Sequence, residues 1–234
     1  MKYMGSKNRI AKHLKPILEK HLNGENWYVE PFVGGANMID KIDYKKKIGA
    51  DINEYLIALL KEMQKDNFQA PIISKELYQE IKENKDKFPK WIVGFAGTQL
   101  SFGSKWFDSY RKDKESDRNY AEEAKNNIEK QAKNIKDILF IHSDYKNIKI
   151  PPKSVIYCDP PYANVTHYKR NLDFDHKEFW NWCREKVKEG HYVYVSEYNA
   201  PEDFVCIWQK EVLNGLNKTK PVEKLFVHKT QNHV

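Results

Sequence analysis

The sequence of 234 residues has few cysteines and no long apolar segment. Its three cysteines, Cys158, Cys183 and Cys206, lie far apart, so they form neither a zinc-binding spacing nor a disulfide framework. The eight histidines show no metal-ligand spacing either. The first ten residues lack the apolar core of a signal peptide, and no apolar run has membrane-spanning length. These absences predict an intracellular, cytoplasmic protein with no metal and no membrane association.

The charge of the chain is basic and unevenly distributed. The net charge is +7, from 40 Lys and Arg against 33 Asp and Glu. Residues 1–50 alone carry ten basic and five acidic residues, a surplus of five. A basic surface attracts polyanions, although charge alone does not select a partner. Nucleic acid is therefore one expected class of partner.

Strand-like and helix-like segments alternate along the chain. Apolar runs typical of buried strands occur at residues 27–30, 47–51, 138–144, 154–159 and 191–197. Helical spacing of apolar residues occurs at residues 8–21, 53–64, 119–139 and 176–190. This alternation predicts a doubly wound, mainly parallel α/β sheet. Near the end, FVCIWQKEVLN and VEKLFVHK flank a GLNKTKP turn and predict a closing antiparallel hairpin, as in class I methyltransferases.

The segment between the second and third predicted strands is too long for an ordinary crossover. We therefore predict an inserted, mostly helical subdomain at residues 65–136, and a sheet domain built from residues 1–64 and 137–234. The insertion contains QLSFGSKWFDSYRKDK (99–114), in which aromatic residues alternate with cations. Such a segment is typical of DNA contact, although about half of its aromatics are expected to pack in the subdomain core. The predicted DNA-binding residues are Lys105, Trp106, Arg111 and Lys112.

Four acidic residues lie at the carboxyl ends of the predicted strands. They are Glu30, Asp51, Asp144 and Asp159. Since the carboxyl ends of parallel strands meet at one edge of a sheet, where ligands bind, that edge is predicted to accept hydrogen bonds.

The stretch PFVGGAN follows Glu30 and contains the adjacent glycines Gly34 and Gly35, which allow close approach of the backbone to a ligand. It lacks the GxGxxG pattern of dinucleotide-binding proteins. Asp51 follows the glycines at the distance where an acid typically binds ribose hydroxyls. These features favour an adenosyl ligand without phosphates, and S-adenosylmethionine is the leading candidate.

Several short motifs then occur in a fixed order. They are KYMGSK (2–7), YVEPFVGGAN (28–37), GADINEYLI (49–57), HSDY (142–145), YCDPPY (157–162), FDHKEFW (174–180) and VYVSEYNAP (193–201). This set resembles the Dam-type, alpha-group family of DNA N6-adenine methyltransferases over most of the chain except the insertion. The resemblance implies a Rossmann-like class I methyltransferase fold, S-adenosylmethionine as cofactor and double-stranded DNA as partner. It implies a site-specific enzyme that acts as a monomer or weak dimer.

The resemblance also assigns cofactor-binding residues by position. They are Tyr3, Lys7, Glu30, Pro31, Gly34, Gly35, Ala36, Asp51, Ile52, Asp144, Tyr145 and Asp159. Asp51 matches the acid that binds the ribose, and Asp144 with Tyr145 matches a pair beside the adenine of the cofactor. The insertion is similar to the family only loosely, so no target sequence follows from it.

Asp159, Pro160, Pro161 and Tyr162 match the catalytic loop of the family. The amine of adenine is a poor nucleophile because its lone pair is delocalised into the ring. The Asp159 carboxylate and the Pro160 carbonyl are suited to accept its two N–H groups, and the two prolines fix the backbone there. Tyr162 is expected to stack on an adenine rotated out of the duplex. The resemblance thus implies direct methyl transfer without a covalent enzyme intermediate.

Three alternatives remain open at this point. Related amino-methyltransferases act on RNA adenine, cytosine N4 or a protein amide, although Asp rather than Ser or Asn before PPY favours adenine. A catalytically inactive DNA-binding relative is disfavoured by the intact Asp51, Asp159 and Tyr162. An NAD-dependent oxidoreductase is disfavoured by the missing third glycine.

Overall fold

A computed structural model of the chain describes residues 1–112, 118–162, 174–212 and 221–231. Seven strands form one sheet in the order β3-β2-β1-β4-β5-β7-β6. The strands are β1 (Tyr28–Glu30), β2 (Lys47–Asp51), β3 (Ile138–His142), β4 (Val155–Cys158), β5 (Tyr192–Ser196), β6 (Phe204–Glu211) and β7 (Val222–His228). Strands β1 to β5 pair in parallel, and β7 pairs antiparallel with both β5 and β6. The predicted α/β fold with a closing antiparallel hairpin is confirmed, although the GLNKTKP turn lies almost wholly outside the described residues.

The helices of the described residues begin largely where the sequence offers a side chain to cap them. They are α1 (Ala11–Glu19), α2 (Glu54–Met63), α3 (Lys75–Glu83), α4 (Lys90–Gln99), α5 (Tyr120–Ala132) and α6 (His176–Lys188). Asn53, Ser74, Asn119 and Asp175 each accept a backbone N–H in the first turn of α2, α3, α5 and α6. Within the described residues, no helix has the length and apolar character needed to cross a membrane.

Two helices are shorter than their sequence patterns predict. Helix α1 begins only at Ala11, because residues Lys7–Arg9 form a separate 3₁₀ turn capped by the Ser6 hydroxyl. Helix α5 ends at Ala132 rather than near residue 139, because the chain turns before it enters β3 at Ile138. In both segments, the helical spacing of apolar residues extends beyond the residues that form the helix.

The sheet separates two hydrophobic layers. Alternate residues of β4 contribute to opposite layers: Val155 and Tyr157 to one, Ile156 and Cys158 to the other. The first layer holds the buried faces of α1 and α2 together with those of α3 to α5, and the second holds that of α6. The central strands are therefore buried on both faces, as expected for a doubly wound parallel sheet.

The helices from the predicted insertion pack directly on the sheet domain. In α4, a side chain at Gly94 would begin 2.2 Å from the carbonyl oxygen of Tyr55 on α2, so glycine allows the two helices to touch. One turn later, the rings of Trp106 and Phe107 cover Gly97. Helix α4 of the predicted insertion therefore rests against α2, which begins just after the carboxyl end of β2.

Candidate active site

The four predicted acids lie at one edge of the sheet. Glu30 and Asp51 are the last residues of β1 and β2, Asp159 directly follows β4, and Asp144 lies two residues beyond β3. Since β3, β2, β1 and β4 are adjacent and parallel, their carboxyl ends are neighbours. The edge has two parts, which we name after the roles that the sequence predicts for Asp159 and Asp51: the catalytic corner (Lys7, Asp159, Tyr162 and Glu223) and the cofactor corner (Tyr3, Gly34, Gly35, Asp51 and Ile52).

The catalytic corner is organised around the ammonium of Lys7. Its Nζ lies 2.9 Å from Asp159 Oδ1 and 3.7 Å from Glu223 Oε2. It also donates a hydrogen bond of 3.1 Å to the carbonyl of Gly5 and lies 4.6 Å from the centre of the Tyr162 ring. Only 6% of the Lys7 side chain is exposed. A buried cation is therefore shared by two carboxylates and an aromatic ring.

Tyr162 is held at both ends. Its hydroxyl donates a hydrogen bond of 3.0 Å to Glu223 Oε2. Its ring meets Tyr198, the second residue after β5, in an edge-to-face contact with centroids 4.7 Å apart. Pro160 and Pro161 connect this ring to Asp159, and Pro160 is buried. The predicted catalytic loop thus starts at β4 and is supported from β5 and β7.

The charged groups of the catalytic corner shift one another's pKa values. Burial raises the pKa of Asp159, Lys7 opposes the increase, and Glu223 adds to it. Burial disfavours the Lys7 ammonium, yet Asp159 and Glu223 together raise the pKa of that lysine above its ordinary value. The two carboxylates therefore favour the charged form of Lys7, while the charge of Asp159 depends on the balance between burial and its two charged neighbours.

Glu30 lies beside this corner and is buried (3% exposed). Its Oε1 accepts a hydrogen bond of 2.8 Å from the Tyr28 hydroxyl. Burial raises the pKa of Glu30 well above its ordinary value, and the charge of Asp159 adds to the increase. The structure therefore favours a neutral Glu30 at the end of β1.

In the cofactor corner, backbone amides hold Asp51. Its Oδ2 accepts from the N–H of Gly34 at 3.1 Å, and its Oδ1 accepts from the N–H of Asn53 at 2.9 Å. Gly34 has a φ of +47°, which favours glycine, and a side chain there would begin 2.7 Å from the Tyr3 ring. A side chain at Gly35 would begin 2.6 Å from Tyr3 Cβ. Tyr3 therefore packs on the glycine turn that carries the amide bonded to Asp51.

A glutamine from the insertion supports the same turn. Gln131 of α5 is buried, and its Nε2 donates to the carbonyls of Gly35 (3.0 Å) and Ala36 (3.1 Å) and to Asp40 Oδ2 (3.0 Å). Ala36 is fully buried and has a φ of +54°. The inserted helix thus fixes the backbone that follows Gly34 and Gly35.

The remaining predicted cofactor residues differ in exposure. Ile52 has 70% of its surface exposed directly after Asp51, whereas Tyr145 is 6% exposed in an aromatic cluster with Phe32, Phe179 and Trp182. Asp144 Oδ1 accepts from the N–H of Lys146 at 2.8 Å. Pro31 is buried after β1. Of these side chains, Ile52 offers the most apolar surface to a ligand, while Tyr145 packs in the layer behind the edge.

The predicted DNA-binding residues lie on one loop of the insertion. Residues 100–111 fold back on themselves through a bridge between Ser101 and Tyr110 and a hydrogen bond from the N–H of Arg111 to the carbonyl of Leu100 (2.8 Å). The Arg111 guanidinium lies 4.2 Å from the centre of the Tyr120 ring, and Lys112 is exposed.

The aromatic residues of this loop are buried to different extents. Trp106 is half-buried between Tyr55 and Phe107, and Lys105 precedes it with intermediate exposure. Phe107 is buried, and the Tyr110 hydroxyl donates to the carbonyl of Ile73 at 2.9 Å. Phe102 is 51% exposed, and its N–H donates to the carbonyl of Ser109 at 2.8 Å, next to the bridge that closes the loop. Some of the loop's aromatics therefore pack inward, as expected, and one remains open to solvent.

Sequence reasoning missed Glu223 and Gln131. Glu223 shares one face of β7 with Leu225 and Val227, which are buried. An acid on the apolar face of a strand is seldom buried unless it is paired, so this pattern in the sequence indicates that Glu223 has a buried partner. Gln131 lies on the buried face of α5 with Ala124 and Ile128, where a polar residue is similarly out of place.

The donor set of the cofactor corner fits S-adenosylmethionine. The Asp51 carboxylate stands at the strand end, fixed by two amides, as an acceptor for ribose hydroxyls. Exposed Ile52 beside it is an apolar surface of the kind on which a purine packs. The described residues here carry no lysine or arginine cradle of the kind a diphosphate needs, since Lys7 is paired with Asp159.

Comparison with known proteins identifies the family. A family model described as D12 class N6 adenine-specific DNA methyltransferase matches residues 3–91 and 92–233. The type II methyltransferase M.MjaIII of Methanocaldococcus jannaschii is 26% identical in an alignment of 273 positions that covers 97% of this chain and 92% of that protein. The type II methyltransferase M.FokI of Planomicrobium okeanokoites is 20% identical in an alignment of 209 positions that covers 79% of this chain and 32% of that protein.

Solved structures with a similar trace include one named as a methyltransferase in complex with SAH (TM-score 0.35, 10% identity, 96% of this chain and 52% of that chain). The family match spans nearly the whole chain and confirms the predicted family, activity and cofactor. The chain belongs to the D12 class of N6 adenine-specific DNA methyltransferases, which use S-adenosylmethionine to methylate N6 of adenine in DNA.

Proposed function

We infer that the chain methylates adenine in double-stranded DNA, at a base rotated out of the helix, by direct transfer to N6. One observation carries this proposal: the Asp159–Tyr162 loop leaves β4 at the same sheet edge where Asp51 and the glycine turn lie. A base paired inside a duplex cannot reach such an edge, so the target has to leave the base stack. The catalytic corner comes from a single chain, which agrees with action as a monomer or weak dimer, and a DNA substrate agrees with an intracellular location.

In this proposal, Asp159 and Pro160 act on the amine of the target adenine. S-adenosylmethionine, when bound, supplies the electrophilic methyl group. Asp159 Oδ1 is paired with Lys7, so Oδ2 is the oxygen that we assign to one N–H of the amine, and the Pro160 carbonyl is assigned to the other. Two fixed acceptors localise the nitrogen lone pair and stabilise the positive charge that develops as the methyl arrives. The amine then loses a proton, and the ionised Asp159 is the nearest assigned acceptor.

Tyr162 is assigned to the face of the extruded adenine. An aromatic ring binds a base by stacking, a contact worth about 1–3 kcal/mol for each base. The hydrogen bond to Glu223 and the edge contact with Tyr198 fix the ring before the base arrives. A fixed ring loses little conformational entropy on binding, which favours the extruded base over the paired one.

The loop at residues 100–111 is assigned to DNA contact, together with Lys112. Arg111 and Lys112 supply phosphate contacts in this proposal, with Lys105 and Trp106 beside them. Exposed Phe102 is the aromatic best placed to insert between base pairs, whereas buried Phe107 supports the loop. The insertion would thus read the DNA while resting on α2, next to the cofactor corner.

The test combines a substrate panel with one variant. The purified protein is incubated with labelled S-adenosylmethionine and unmethylated double-stranded DNA, single-stranded DNA or RNA, and the products are digested and identified as nucleosides. We expect N6-methyladenine from double-stranded DNA. Asp159→Asn should lower the rate by about 10²–10³-fold, because it removes the charged acceptor, while calorimetry shows unchanged cofactor binding.

The exposed residue Asp66, whose side chain is 98% exposed, provides a matched control as Asp66→Asn, which should behave like the parent protein. N4-methylcytosine as the product, RNA as the preferred substrate, or full activity of Asp159→Asn would each contradict the proposal.

A further inference from the structure

Glu223 is a mostly buried acid whose only part in the chemistry above is its hydrogen bond to the Tyr162 hydroxyl. Its side chain is 16% exposed, and it lies on β7, between β5 and β6 in the sheet. Burying a carboxylate is costly unless it is paired, so its position requires an explanation. Its partners are both in the catalytic corner.

A single oxygen of Glu223 connects two residues of that corner. Oε2 accepts the Tyr162 hydroxyl at 3.0 Å and lies 3.7 Å from Lys7 Nζ. Lys7 Nζ in turn lies 2.9 Å from Asp159 Oδ1. Glu223 therefore contacts the stacking residue directly and reaches the acceptor residue through the lysine.

The backbone of Glu223 is anchored by the sheet. It pairs with Lys210 of β6, and Leu225, two residues along, pairs with Ser196 of β5. Tyr198 follows that β5 position and touches the ring of Tyr162. A carboxylate on such a strand is a fixed reference point for Tyr162, which lies on the loop after β4 and donates its hydroxyl to that carboxylate.

We propose that Glu223 is a positioning residue for methyl transfer: it orients Tyr162 through the phenol and draws Lys7 away from an exclusive pairing with Asp159. This inference rests on the roles proposed for Asp159 and Tyr162. Without the second carboxylate, the ammonium would neutralise Asp159 alone, and the oxygen needed for the amine would become a poorer acceptor. When Glu223 is present, the Lys7 ammonium interacts with both carboxylates, so Asp159 remains a stronger base.

The charge of Asp159 responds to every titratable group around it. These are Lys7 from the N-terminal turn, Glu30 from β1, Tyr157 from β4, Tyr162 from the loop, Tyr198 after β5 and Glu223 from β7. Among them Lys7 lowers the pKa of Asp159 and Glu223 raises it. Removal of the negative charge at Glu223 should therefore lower the pKa of Asp159.

The experiment compares Glu223→Gln and Glu223→Ala with the parent protein on unmethylated double-stranded DNA. Glu223→Gln should lower kcat about tenfold, since it removes a charged partner from a buried pair but retains an acceptor for Tyr162. The acid limb of its profile of kcat/KM against pH should move to lower pH, and the dissociation constant of S-adenosylmethionine should stay unchanged. Glu223→Ala should lower kcat further. In a Tyr162→Phe background, the same alanine should cost less, because the phenol that it orients is already absent.

A matched control separates positioning from stability. Glu211→Gln changes the same charge at an exposed residue of β6 that pairs with Val222 and should leave kcat and the pH profile unchanged. An unshifted pH profile for Glu223→Gln, or a loss of activity that only follows the loss of folded protein and of cofactor binding, would overturn the inference. Full activity of Asp159→Asn would instead refute the proposed function, so the two failures are distinguishable.

Discussion

The catalytic corner and the cofactor corner share one sheet edge, yet the chain builds them differently. In the cofactor corner, the Asp51 carboxylate is held by the backbone amides of Gly34 and Asn53. In the catalytic corner, the Asp159 carboxylate is held by a buried side-chain cation, which a second acid shares. Backbone amides keep their polarity at any pH, whereas the network of side-chain charges depends on every member. The first corner is therefore expected to be tolerant of pH and substitution, and the second sensitive to both.

Among the variants that change the support of the two acids and leave Asp159 in place, the largest expected effect comes from removing the shared cation. Lys7→Met leaves Asp159 and Glu223 as buried neighbours of like charge, so the pKa of Asp159 rises. We expect kcat to fall by about 10²-fold at pH 7, and part of the loss to be recovered at higher pH, where Asp159 ionises again. A pH series of single-turnover rates measures this. The shift is opposite in direction to that expected for Glu223→Gln.

Lys12→Met, at an exposed position of α1, is the control for Lys7→Met. If Lys7→Met instead weakened cofactor binding while the pH profile stayed in place, Lys7 would belong functionally to the cofactor corner, as the family resemblance implies.

A second variant tests the backbone-held acid. Asp51→Asn keeps the shape of the side chain but removes its charge and one acceptor, so a ribose hydroxyl or a backbone N–H loses its partner. We expect the dissociation constant of S-adenosylmethionine to rise about tenfold or more by calorimetry, with kcat at saturating cofactor little changed. Asp137→Asn, at an exposed position before β3, should change neither value. An unchanged dissociation constant for Asp51→Asn would count against the ribose assignment.

The smallest expected effect concerns the support of the glycine turn from the insertion. Gln131→Met leaves the carbonyls of Gly35 and Ala36 without their donor. We expect the free energy of unfolding to fall by about 1–3 kcal/mol and cofactor affinity to weaken several-fold, while kcat at saturation is retained. Denaturant titration and calorimetry measure the two effects. Asn126→Met, on the exposed face of α5, is the control, and equal cofactor affinity in both variants would show that the turn holds its shape without this glutamine.

The same contrast explains how much of the site the sequence predicts. Gly34, Asp51 and Asn53 lie within one β–turn–β–helix segment, so spacing along the chain alone indicates that they meet. Lys7, Asp159 and Glu223 belong to three distant segments, and only the order of the sheet brings them together. The family resemblance identifies Lys7 and Asp159 as separate site residues. It does not predict the 2.9 Å contact between them or the position of Glu223 beside Lys7, because both depend on tertiary structure.

The fold follows the sequence closely where periodicity and caps agree. Strands β1 to β5 all lie within their predicted segments, and α2 is capped by Asn53, the first residue of its predicted segment. The predicted ends of α1 and α5 are wrong because apolar spacing continues into turns that the packing of neighbouring elements imposes. Helix packing through Gly94 is likewise invisible in the sequence, because a glycine inside a helix normally indicates a weak point rather than a contact.

The position of β7 has a consequence for how the protein is made. During translation, β6 emerges before β7. Within the described residues, β6 pairs only with β7, and β7 also covers the edge of β5. That edge of β5 therefore stays unpaired until β7 has been made. A ribosome-bound chain that has reached only residue 211 would already carry Asp159 and Tyr162, but not the Glu223 carboxylate that accepts the Tyr162 hydroxyl. Completion of the sheet and readiness for catalysis would then come in a single late step, so a half-made chain would have little capacity to modify the genome.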